Sequence, residues 1–310
     1  MKKILPIIIT VLCIQSVNAT VPIPRNSSIQ HRVKINDHTF SVYEKRSDNP
    51  RNAIVLIHGR TISALPNFDL QLSSENVSLM DAFVAEGFSV YAIDLRGFGE
   101  TRRDESDWNT PQKAAKDVGR FLNWVAARHP KDSKLSLFGY SLGALHSQLV
   151  AQNNPKILSE LILFGYPITY ISNKVNEVVS RGKEHAKPPR KPNTVEWSAD
   201  GFMTDHTAKT TIDAYVAACL KYDPILVDWR DIGDWNQLDP LKLTVPTLLI
   251  NGVYDPYAPA DQLSAFFSGI KSTDKSWIII PESGHNLHVE NGAARLVASV
   301  VNFIRRNQVN

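Results

Sequence analysis

The run Gly139-Tyr140-Ser141-Leu142-Gly143 sets a serine between two glycines, directly after the apolar segment KLSLFG (Lys134 to Gly139). A serine hydroxyl attacks a carbonyl near neutral pH only when a base stands beside it. Alone, the pattern reads first as a structural turn at the start of a helix. The partners it would need come later: TLLINGVYD delivers Asp255 after one apolar run, and SWIIIPESGH delivers His285 after another. A histidine can take the serine proton and return it to a leaving group. A carboxylate can fix the imidazole tautomer and stabilise its charged form. Serine, acid and base each trailing a short apolar run points to acyl transfer more specifically than any one of the three motifs.

Those residues need a scaffold. Short apolar runs, AIVLIH (Ala53 to His58), FSVYAID (Phe88 to Asp94), KLSLFG, ELILFG (Glu160 to Gly165), TLLIN (Thr247 to Asn251) and SWIIIP (Ser276 to Pro281), read as strands buried on both faces. Helical stretches separate them, the clearest being PQKAAKDVGRFLNWVAARHP with Thr110 as N-cap and Pro111 at the first position. The alternation predicts an α/β fold with a mostly parallel, doubly wound sheet of about eight strands. Residues from about Gln30 to Lys45 read as an N-terminal hairpin around Asn36-Asp37. In such a sheet, ligands bind at the carboxyl ends of the strands, where His58, Asp94, Ser141, Asp255 and His285 all fall. Residues 166–243 break the rhythm and read as an inserted cap between core segments 20–165 and 244–310.

In this order, Ser, Asp, His, the residues resemble the α/β-hydrolase superfamily over nearly the whole chain after residue 19. The resemblance identifies Gly139 to Gly143 as a nucleophile elbow, Asp255 as the acid and His285 as the base. HGRT (His58 to Thr61) is similar to the family's oxyanion loop. DLRGFGET (Asp94 to Thr101) is similar to its Asp-x-Arg-Gly-x-Gly turn, with Thr101 where serine is usual. It implies a serine esterase or lipase-like member, with the backbone amides of Leu142 and Arg60 (or Thr61) as oxyanion donors.

Rivals for each role are present. Asp234, Asp239 and Asp261 are other acids, but Asp255 follows its strand directly; His288 falls in the next helical turn, whereas His285 follows Gly284. His58, Asp94 and Arg96 read as braces for their loops, and His146 as a helix-face residue. Two further functions fit the same residues. A prolyl-type aminopeptidase or amide hydrolase would call on cap carboxylates such as Glu184 or Glu196, against a local excess of Lys and Arg. A ligand-binding member of the fold would turn over little.

Of the 310 residues, 43% are hydrophobic and 21% charged, as in ordinary globular chains. Lys2, Lys3, the apolar run Ile4 to Ile14 and Val17-Asn18-Ala19 have the layout of a secretory signal peptide, residues 1–19. A secreted or periplasmic protein without stable membrane insertion is therefore expected. Losing Lys2 and Lys3 takes the 34 Lys and Arg to 32, against 31 Asp and Glu, so no nucleic-acid partner is expected. Cys13 leaves with the signal, and Cys219 reads as core. No ligand spacing for a metal and no dinucleotide fingerprint is present, so no cofactor is expected; the expected partner is a small-molecule ester.

Overall fold

The computed structural model describes residues 27–48, 52–72, 76–130, 133, 135–171, 187–203 and 205–306. The expected signal segment lies outside the described residues, as does Glu184. Each of the apolar runs forms a strand: β3 (Ala53–Ile57), β4 (Ser89–Ile93), β6 (Leu135–Tyr140), β7 (Leu158–Phe164), β9 (Thr247–Gly252) and β10 (Lys275–Ile280). β1 (Ile29–Ile35) and β2 (His38–Lys45) form the hairpin, and Asn36 takes the left-handed φ of 52° that its short side chain tolerates. The eight strands pair in the order β1-β2-β4-β3-β6-β7-β9-β10. β3 to β10 of this sheet are mutually parallel, and β2 joins antiparallel to β4.

The strand period of two divides the core. Val55 and Ile57 face one side, with Phe121, Leu145 and Leu263; Ile54 and Leu56 face the other, with Phe68, Phe83 and Val300. Helices α3 (Pro111–Ala126), α4 (Leu142–Asn153) and α7 (Ala260–Gly269) supply the first side. Helices α1 (Ala64–Phe68), α2 (Leu79–Ala85) and α8 (Ala293–Arg305) supply the second. Thr110 caps α3 as read from the sequence, its hydroxyl accepting from the Lys113 amide at 3.1 Å. The helix stops at Ala126, three residues sooner than the approach of Pro130 suggested.

Between β7 and β9 the described part of the insertion holds α5 (Val195–Ala199), α6 (Lys209–Tyr222) and two 3₁₀ turns. The short strand β8 (Asp228–Trp229), which the sequence reading missed, pairs with β5 (Trp108–Asn109) and ties this segment to the turn after β4. Asp223, at the end of α6, accepts from the Ser63 amide at 2.8 Å and the Gly99 amide at 2.9 Å. Cys219 is a free, fully buried thiol in the packing of α6.

Candidate active site

Strand β6 ends at Tyr140 and α4 begins at Leu142, so Ser141 alone makes the turn between them, at φ 54° and ψ −124°. That conformation is strained for any residue with a side chain, costing about 1–3 kcal/mol. It is enforced by crowding on both sides. A Cβ at Gly139 would lie 2.4 Å from the Gly143 carbonyl oxygen, and one at Gly143 would lie 2.2 Å from that of Ile57. The elbow is thus locked against the end of β3, and its hydroxyl is held above the sheet.

There the Ser141 hydroxyl donates to His285 Nε2 at 2.9 Å, and His285 Nδ1 donates to Asp255 Oδ2 at 2.8 Å. The carboxylate can only accept, which fixes the proton on Nδ1 and leaves Nε2 as the acceptor. Asp255 is 4% exposed and also accepts from the Tyr257 amide at 2.9 Å. Asp234, Asp239 and Asp261 make no contact with this imidazole; Asp239 instead caps its own 3₁₀ turn. His288 is fully buried against Tyr140, Phe164 and Tyr215 and does not reach Ser141.

Several residues that hold the imidazole were not legible beforehand. Gly165 and Gly201 both have positive φ, and a Cβ at either would sit 3.1 Å or 2.9 Å from His285. The His285 amide donates to the Gly201 carbonyl at 3.1 Å. Glu290 accepts from the amides of Gly284 at 2.8 Å and Met203 at 2.9 Å, binding the histidine loop to the insertion. Tyr140 donates to Asn286 at 2.6 Å, and Asn286 donates to the Asp200 carbonyl at 2.8 Å. These contacts join distant positions through space, and no local motif announces them.

The loop after β3 passes over the elbow, with Gly59 Cα so close that an added Cβ would be 3.2 Å from that of Ser141. The amides of Arg60 and Leu142 make no hydrogen bond among the described residues, and both residues line the cavity around the Ser141 hydroxyl. These two amides, Leu142's at the start of α4 and Arg60's on the loop after β3, can receive a developing oxyanion. His58 braces the loop: Nδ1 donates to the Gly59 carbonyl and Nε2 accepts from the Leu95 amide. Complete burial pushes it down to about 4, so it stays neutral in this role. Asp94 accepts from Tyr43 and from the Ala64 and Glu100 amides, and burial pushes it up to about 7. Arg96 pairs in fork fashion with Asp117 at 2.6 and 3.0 Å. His146, expected on a helix face, is instead buried between Trp229 and Trp235.

The cavity is about 120 Å³. Its walls include Tyr170, Trp197, Tyr215 and Tyr257, with Arg60 and Asp200 as charged members. Of the insertion aromatics, Tyr170, Trp197 and Tyr215 face it, whereas Tyr166, Phe202 and Trp229 pack elsewhere. Glu196 is exposed and does not line it. Among the described residues, no three His, Cys, Asp or Glu side chains gather as they would around a metal ion.

His288 carries a distinct energetic cost, because neither ring nitrogen finds a hydrogen-bond partner among the described residues. Burial first, then the neighbouring His285, pushes it down to about 3. In the unfolded chain a histidine titrates near 6.5, so below that pH unfolding takes up a proton and the fold loses stability. Replacing His288 with leucine removes this penalty. Urea unfolding at several pH values is expected to show the variant gaining on the natural chain by roughly 1.4 kcal/mol per pH unit from about pH 6.5 downward. A difference that does not change with pH refutes the assignment.

The chain is similar to known proteins over most of its length. The chain is 24% identical over 244 residues to the serine hydrolase BPHL of Homo sapiens, covering 77% of this chain and 74% of that one. It is 25% identical over 282 residues to protein phosphatase methylesterase 1 of Schizosaccharomyces pombe, covering 82% and 75%. A soluble variant of monoglyceride lipase from Saccharomyces cerevisiae shares the fold with a TM-score of 0.70 at 19% identity, over 93% of this chain and 97% of that one. The family described as serine aminopeptidase, S33, matches residues 48–292, and the chain belongs to that family of serine hydrolases with the α/β-hydrolase fold.

Proposed function

We propose that the protein is a secreted or periplasmic carboxylic ester hydrolase working through an acyl-enzyme on Ser141. The observation that carries the reading is the continuous chain from the Ser141 hydroxyl through His285 to Asp255, opening beside two free amides in one cavity. Ser141 Oγ attacks the ester carbonyl as His285 Nε2 takes its proton. The tetrahedral oxygen is received by the Leu142 and Arg60 amides, each contributing about 3 kcal/mol to lowering the barrier. The imidazolium then protonates the departing alcohol. A water that gives its proton to His285 Nε2 attacks the acyl-enzyme and releases the acid. The limited cavity volume and its aromatic walls favour a short or medium acyl chain. The names of similar proteins, a methylesterase and a monoglyceride lipase, support an ester, and the signal-like N-terminus supports export.

A prolyl-type aminopeptidase is a second reading, favoured by the Asp200 carboxylate in the cavity wall, which could receive a substrate amine. Fluorophosphonate labelling of the purified protein, followed by a panel of 4-nitrophenyl esters from acetate to decanoate and of aminoacyl-nitroanilides, separates the readings. Labelling at Ser141 with ester turnover declining at long chains is expected. Turnover confined to prolyl-nitroanilide would move the assignment to the peptidase, and absence of labelling would leave a binding protein.

A further inference from the structure

Arg60 is singular among the cavity residues. Its guanidinium makes no hydrogen bond or ion pair among the described residues and rests 5.5 Å from the centre of the Tyr170 ring. Arg60 is exposed, and a guanidinium set beside an aromatic ring keeps its N–H edge free to bind; that edge matches a carboxylate with two parallel hydrogen bonds. The other charged member of the wall, Asp200, is already engaged: it accepts the Tyr257 hydroxyl, a phenol that burial and Asp200 itself hold protonated. The cavity wall therefore carries one carboxylate already bonded by a phenol and one guanidinium without a protein partner among the described residues, beside a nucleophile that sits on a hydrogen-bonded imidazole. The Arg60 backbone is the same residue whose amide faces the carbonyl, so the free charge lies within one side-chain length of the bond to be cut.

We propose that the preferred substrates are esters bearing a carboxylate near the scissile carbonyl, and that the Arg60 side chain is the residue that selects them. This rests on the ester-hydrolase reading and adds the substrate class to it. Arg60 is exposed at the cavity wall, so an ester with a carboxylate gains a charge-assisted pair with its guanidinium, whereas an uncharged ester gains no such contact. The positive charge also raises the local concentration of anionic esters, an effect that salt weakens.

The test uses two isosteric pairs. Monomethyl succinate against methyl 4-methylpentanoate places the carboxylate on the acyl side; O-acetylglycolate against isobutyl acetate places it on the alcohol side. Hydrolysis is followed by acid release in a pH-stat. In at least one pair, kcat/KM is expected to favour the anionic ester by about tenfold or more, mainly through KM. Arg60→Gln, which keeps the backbone amide, is expected to bring that ratio close to one, and Arg60→Lys to retain part of it. Equal or better use of the neutral ester in both pairs overturns the proposal, as does a preference that survives Arg60→Gln. Failure to hydrolyse any of the four esters counts against the ester-hydrolase reading instead. Calorimetric binding of the same esters to Ser141→Ala protein then decides the role of Arg60: selective binding of an anionic ester supports it, and equal or absent binding overturns it.

Discussion

Ser141→Ala is expected to lower kcat on a short 4-nitrophenyl ester by about a millionfold and to abolish fluorophosphonate labelling. The size follows from the connectivity of the site. His285 Nε2 has the Ser141 hydroxyl as its partner, so without that hydroxyl the imidazole can only assist water, and no acyl-enzyme forms. The free amides of Leu142 and Arg60 remain and leave a small residual rate over water. The same position makes a second, opposite forecast. Because Ser141 holds φ 54° and ψ −124°, Ser141→Gly relieves a conformation that only glycine adopts freely. That variant is expected to be inactive yet to melt higher, by roughly 1.5 °C for each kcal/mol of strain released. Activity retained in either variant would remove Ser141 from the mechanism. An unchanged or lower melting temperature in the glycine variant would show that the turn stores no strain.

Asp255→Asn is the second large effect, expected to cost about ten-thousandfold in kcat with little change in stability. The amide is nearly the same shape and its oxygen can still accept from the Tyr257 amide, the contact that Asp255 Oδ1 makes at 2.9 Å. Its NH₂ group would then face His285 Nδ1, which must accept rather than donate. The imidazole proton moves to Nε2 and points at the serine, where a base is needed. A pH–rate profile of the variant, with melting curves alongside, checks this. A loss smaller than tenfold would shift the role to another carboxylate, with Glu290 the nearest structural candidate through its hold on Gly284.

The strands were legible because burial on both faces leaves a continuous apolar run, as in AIVLI, where all five residues are buried. Ser141, Asp255 and His285 stood out because each follows such a run, which is where a parallel sheet presents its ends. Other features were hidden for particular physical reasons. His146 seemed to lie on a helix face, but α4 is buried almost all round, so it has no solvent side for a polar residue to occupy. Gly165 and Gly201 carry no local motif; their need for positive φ and for space beside His285 exists only in the folded chain. The paired β5 and β8, two residues each, are too short to carry a period. Asp200 and Arg60 meet the same cavity from positions 140 residues apart, which spacing cannot announce.

The carboxylate of Asp223 has a consequence for how this protein can change. It leaves the end of α6 and holds the amides of Ser63, on the loop beyond Arg60, and of Gly99, on the turn after β4. Burial pushes it up to about 6, and no cation pairs with it among the described residues, so the donors from Ser63 and Gly99 hold its charged form. The insertion and the loop after β3 are therefore not interchangeable parts. A cap grafted from a relative, or trimmed to widen the cavity, would bring new walls but remove the strut under that loop. Cavity walls such as Trp197 can be changed residue by residue without touching that strut; wholesale exchange of the insertion must carry an acid at the end of its helix.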